Sequence, residues 1–281
     1  MVAKQSAARR PPIAPARKPP TPRRPRPRIW GGVLALVLIA ATVAVTLSLA
    51  GARSSAAAAP ATPSISPDSM STVETVDGEA LPVREYELFL AEDRAETFAY
   101  FLQHYGAADS STFWTTAHGG QTPTAYLKSV ALADATKALV QQVLATKYGV
   151  VSGFTYAGFL EAWQAQNASR ASAIAAHQPI YGPTSYSESD YFTYVSDQLA
   201  EQLQTTLTGK DVIKVTDAAL ESYYDSHKSQ FTDDGPVSFA QEKSVVQEYY
   251  VQAAYTTLVA QQTKQAAAHV DQSVLAAISI S

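Results

Sequence analysis

An uncharged, largely apolar run of 21 residues, IWGGVLALVLIAATVAVTLSL at positions 29–49, divides this chain into two parts of opposite electrostatic character. At 1.5 Å per residue, a helix of about 20 apolar residues spans the roughly 30 Å hydrocarbon core of a bilayer. The flanks of the run are asymmetric. Nine basic residues (Lys4, Arg9, Arg10, Arg17, Lys18, Arg23, Arg24, Arg26 and Arg28) and no acidic residue precede it, whereas Arg53 alone follows closely. The positive-inside bias therefore predicts a single-pass helix with residues 1–28 cytoplasmic and the rest extracytoplasmic, and Trp30 at the interface. Small residues at Ser48, Ala50 and Ala52 would suit cleavage of a signal peptide, but the run exceeds the usual 7–15-residue signal core, which favours an uncleaved anchor.

Residues 1–28 are rich in Pro, Arg and Ala and predict a disordered tail. Its charge fits anionic lipid headgroups, worth roughly 1 kcal/mol per basic residue near the surface; no nucleic-acid partner is expected. Residues 50–73 are Ala, Pro and Ser with no helical period and read as a tether. Beyond Arg53, eleven basic residues face 25 acidic ones, so the C-terminal part is strongly anionic.

Residues 74–281 read as an all-α domain of six or seven helices, with no alternation long enough for a sheet. Leu81-Pro82 opens a helix with Tyr86, Phe89, Leu90, Phe101, Leu102 and Tyr105 on its apolar face, ended by Gly106. Thr122-Pro123 caps a long helix, and Thr155 caps another with Phe159, Leu160, Trp163 and Ile174 inward. Ser187 and Asp190 resemble a capping box, Thr216 caps a short helix carrying Tyr223-Tyr224, and a last helix runs on from Ser238.

Conventional catalytic chemistry is not legible. There is no cysteine, which removes disulfides, thiolate metal sites and a thiol nucleophile. None of the five histidines lies three or four residues from another, and no G-x-S-x-G elbow or glycine-rich phosphate loop occurs. No catalytic, cofactor-binding or metal-ligating residue is assigned, and the chain is read as a non-enzyme. The remaining signal is aromatic: 15 tyrosines, many in the C-terminal half. Tyrosine combines an apolar body, a polar tip and little rotamer entropy, which suits adaptable binding surfaces; core packing is the alternative use. The candidate polypeptide-binding residues are Phe113, Trp114, Tyr181, Tyr186, Tyr191, Tyr194, Tyr223 and Tyr224.

Three segments resemble the helical body of SurA/PrsA-type extracytoplasmic chaperones, whose fold is of the SurA and trigger-factor C-terminal type. They are VDGEALPVREYELF at 76–89, the stretch from Phe113-Trp114 through TPTAYLKSVALADATKALVQQVLATKYGV, and VTDAALESYYDSHKSQF at 215–231 with its continuation from Val237. Asp77 and Leu81 stand where the family favours Asn and Ile or Val. In that family a prolyl isomerase (parvulin) domain leaves the body near the third segment. Here only residues 232–236, TDDGP, separate Phe231 from Val237, so no such domain fits. The resemblance implies a cradle for non-native exported polypeptides without isomerase activity; a dedicated adaptor for one secretion or cell-envelope complex is the alternative.

Overall fold

The computed structural model describes residues 64–231 and 238–280. The basic tail 1–28, the anchor 29–49, the first part of the 50–73 segment and the 232–237 loop lie outside these residues. Among the described residues no helix is long and apolar enough to cross a membrane. The fold is mostly helical, with seven α-helices and one small sheet among the described residues.

Strands β1 (Thr72–Val76) and β2 (Glu79–Pro82) form an antiparallel hairpin. Its two-residue turn is Asp77-Gly78, with φ of +50° and +93°. Consecutive positive φ angles are what a type I′ turn demands, and Asp-Gly meets that demand at low steric cost. Near the C-terminus β3 (Ala268–Val270) pairs with the other side of β1, giving the order β2-β1-β3. The all-α expectation is thus corrected by a three-stranded sheet. Its strands lack the expected alternation because the β1–β2 register shifts between Thr72 and Glu74, and Val73 and Glu74 are both buried.

The tether expectation is corrected at its end. The Ile65 amide donates to the Ala277 carbonyl at 3.1 Å, and Val83 and Arg84 amides donate to Ser71 and Ser69 at 2.9 and 3.0 Å. Ile65 and Val73 are apolar anchors within a small-residue segment, and both pack in the main core.

Helices α1 (Val83–Tyr105) and α2 (Pro123–Lys147) supply nearly half of that core. Pro82 is the N-cap of α1, and Gly106 ends it in the left-handed region with φ +65°. Thr122 caps α2 by accepting the Ala125 amide, with Pro123 in the first turn as its missing N–H allows. A 3-10 turn, Phe113–Thr115, lies between them. Then follow α3 (Tyr156–Ala175), α4 (Glu188–Gly209), α5 (Asp217–Ser226), α6 (Phe239–Gln265) and α7 (Gln272–Ala277). Thr155, Ser187 and Thr216 each accept the amide three residues on, as their cap roles require.

The C-terminal rod does return to the opening elements. Tyr255 on α6 donates to Gln141 Oε1 on α2 at 2.6 Å. The Ala267 amide donates to Asp77 Oδ1 at 3.0 Å, and the Lys128 ammonium to the Leu275 carbonyl at 2.8 Å. Asp77 therefore shapes the hairpin turn and ties the C-terminal strand to it. One continuous core, from Val73 to Ile278, results. A second small cluster of Leu220, Tyr224, Phe231 and Val246 joins α5 to α6.

Candidate polypeptide-binding surface

Helix α3 leaves the body early. Tyr156 and Phe159 are its only buried residues, and over its outer half the side chains are exposed or half-buried. The segment 176–187 folds back along it. Trp163 Nε1 and Asn167 Nδ2 both donate to the Tyr186 carbonyl at 2.9 Å, and the Tyr186 amide donates to Asn167 Oδ1 at 2.8 Å. Arg170 donates to the Pro183 carbonyl through Nε at 2.7 Å and to the Tyr181 carbonyl through Nη2. Residues 163, 167 and 170 share one helical face, so three polar side chains zip the return segment to α3.

The base of this arm is fixed by charge. Arg84 at the start of α1 meets Glu188 at the start of α4 through Nε–Oε1 and Nη2–Oε2 contacts of 2.9 and 2.7 Å. Tyr156, the first residue of α3, donates to Glu188 Oε1 at 2.5 Å. Burial alone would raise the Glu188 carboxyl, but these two donors outweigh it and hold the group below its ordinary value. Just beneath, Glu85 is buried with Gln142 Nε2 at 3.3 Å from its carboxylate, and burial pushes it up to about 8. Nothing in the local sequence signals this, because a glutamate in a first helical turn normally faces solvent near the positive end of the helix dipole.

An aromatic ladder runs from this base. Phe159 stacks on Tyr191 at 5.5 Å, Tyr191 on Tyr194 at 6.2 Å, and Tyr194 on Tyr186 at 5.7 Å. The Arg170 guanidinium lies 5.1 Å over the Tyr186 ring. Burial, then the neighbouring Tyr194 and Tyr186, raises the Tyr191 hydroxyl. Tyr194 is 43% exposed and Tyr181, in the return segment, 89%. The structure therefore brings Tyr186, Tyr191 and Tyr194 together, while Tyr181 stands apart. Ile174, expected inward, is 42% exposed: among the described residues, only Tyr156 and Phe159 of α3 are buried, both in its first turn. Arg170 and Ile174 are the arm residues that reading the aromatics alone overlooks.

The other candidates are placed differently. Phe113 is 2% exposed in a cluster with Phe101 and Ala107, so it is a core residue. Trp114 is half-buried beside it with Arg94 4.4 Å over its ring. Tyr224 is buried in the α5–α6 cluster, and Tyr223 stacks on His227 at 4.1 Å. Phe113 and Tyr224 are thus corrected from surface to core; both fill gaps where short elements meet longer helices. Two hollows run along α4, one of them shared with α6; they are lined by Glu, Gln and Thr side chains with Val150 and Val251 and include none of the ladder tyrosines. Among the described residues no group of three or more metal-ligating side chains converges.

A 155-residue stretch of the chain is 26% identical to a protein of Bifidobacterium longum subsp. longum named chaperone for lacto-N-biosidase. The match covers 54% of this chain and 53% of that protein, so the chain spans about half the length of the curated relative it matches. The likeness supports a chaperone-type role. No family model matches the chain, and no solved structure matches it.

Proposed function

We propose that this chain is a membrane-anchored chaperone without enzymatic activity that holds non-native exported polypeptides on its α3 arm. The carrying observation is the arm itself: Ile174 on α3 and Tyr181 in the return segment are exposed where the body scarcely covers them, next to the exposed Tyr194 on α4, although the base is rigidly clamped. A large apolar side chain left open on a fixed support costs little to dock against, since it is already ordered. The anchor at 29–49 and the basic tail, resting on anionic headgroups, would hold the arm on the extracytoplasmic side, close to emerging chains. The SurA/PrsA-like motifs fit this role, with the parvulin module absent from the short 232–236 connection.

A dedicated adaptor role is the second reading, favoured by the relative's name, which gives one client. Full-length protein in nanodiscs should slow the aggregation of a chemically unfolded exported protein, and the double variant Ile174→Asp, Tyr181→Asp should lose that effect. An unchanged aggregation time course with the native protein sinks the proposal. In-cell crosslinking from residue 181 separates the two readings: a broad set of partners indicates a general holdase, one stoichiometric partner a dedicated one.

A further inference from the structure

Resting on that reading, we infer that the exposed face of α4, continuous with the tyrosine ladder, selects client segments that carry Arg or Lys next to aromatic or aliphatic residues. Helix α4 contains no Lys or Arg over its 22 residues. On one helical face, at spacings of three and four, lie Asp190, Tyr194, Asp197 and Glu201, all exposed. Asp190 accepts from Ser187 as part of the cap; among the described residues Asp197 and Glu201 make no ion pair with any Lys or Arg.

Two further features give this face a chemistry. The arm already shows how its tyrosines receive a cation: Arg170 lies over the Tyr186 ring, which in turn stacks on Tyr194. Tyr194 offers a similar ring, one helical turn from the carboxylates of Asp190 and Asp197, and Gln198 Nε2 donates to its hydroxyl at 2.6 Å. A guanidinium or ammonium is attracted to a ring quadrupole and to a carboxylate together, while the stem of its side chain packs on the ring. The second feature is continuity. Glu201 also lines the groove between α4 and α6, where Glu248 stands on the opposite wall, so an extended segment crossing Tyr194 would run on to a further carboxylate. The anionic balance of the chain beyond residue 53 adds long-range attraction of the same sign.

The test uses full-length protein in zwitterionic nanodiscs and two fluorescent peptides of identical apolar sequence, one carrying Arg, the other Glu, with binding read by anisotropy. The Arg peptide should bind about tenfold tighter at low salt, and that advantage should shrink as salt screens it. Asp197→Asn with Glu201→Gln should weaken the Arg peptide about fivefold, and Tyr194→Leu, which keeps bulk but loses the ring, about threefold. Glu96→Gln with Asp109→Asn, an equal charge change on exposed residues elsewhere, should leave it unchanged. Equal weakening by both charge pairs, or equal binding of the two peptides, overturns the inference. If the Arg and Glu peptides bind equally and both are lost on Ile174→Asp, Tyr181→Asp, the holdase reading stands and only the charge preference falls. If neither peptide binds, both fall.

Discussion

Arg84 and Glu188, 104 residues apart in sequence, meet in a forked pair that joins the start of α1 to the start of α4. Side-chain exposures of 29% and 18% put the pair in partial shelter, where charge-assisted hydrogen bonds count for more than on open surface. Arg84→Ala would leave the sheltered Glu188 carboxylate with Tyr156 as its remaining side-chain donor, and should cost about 2 kcal/mol by thermal denaturation. Arg84→Lys should recover less than half of that, since an ammonium cannot make both bonds. In hydrogen exchange the loss should appear first in α3. A uniform loss across the domain would show that the pair stabilises the body rather than pinning the arm.

Stability should fall as pH rises. The Glu85 carboxyl is raised by burial to about 8, so the folded chain binds its proton more tightly than the unfolded one. Such a group contributes fully below its unfolded value near 4.5 and loses that contribution as pH rises through 8, at most about 1.4 kcal/mol per pH unit. Glu85→Gln should flatten the melting temperature between those limits and raise it at the alkaline end. Some slope will remain, because Asp93 is also raised to about 7, by burial and then by Asp134, Glu92 and Glu96. Identical slopes for variant and native protein would contradict a buried, protonated Glu85.

Gly78→Ala should destabilise by about 1 kcal/mol, through backbone strain at φ +93° alone, because a Cβ there meets nothing within 4 Å. Asp77→Ala should cost somewhat more: besides placing Ala at φ +50°, it frees the Ala267 amide and loosens β3. Limited proteolysis near residues 266–271 should therefore accelerate in Asp77→Ala and much less in Gly78→Ala.

Aromatic substitutions should separate cleanly. Phe113→Ala opens the packed cluster with Phe101 and Ala107 and should cost roughly 3–5 kcal/mol. Tyr181→Ala removes an 89% exposed ring and should change stability by less than about 0.5 kcal/mol, while weakening client holding. A large stability loss in Tyr181→Ala would place that residue in a structural role.

Helix starts were legible because capping is local. Thr122, Thr155, Ser187 and Thr216 each announce themselves by side-chain chemistry within three residues. The hairpin was equally local at Asp77-Gly78 but was hidden by a shifted register and by strands of five and four residues. The third strand could not be read at all: three residues acquire strand geometry only by lying against β1. Among the candidate site residues, Tyr191 and Tyr194 share one helical side three residues apart, and Tyr186 stacks beside them. Spacing could not tell them from Phe113 or Tyr224, since an aromatic on a helix looks the same whether or not a neighbour covers it.

The chain alone dictated where helices begin, where the opposite charges lie, and that α4 would carry carboxylates without a single cation, because these properties belong to residues and their near neighbours. Which apolar faces were spent on the body and which were left open was decided by long-range closure. The return of α6 and β3 to the opening hairpin buries one set of side chains, and the Arg84–Glu188 clamp, with Tyr156, holds α3 so that, among the described residues, Ile174 and Tyr181 stay exposed.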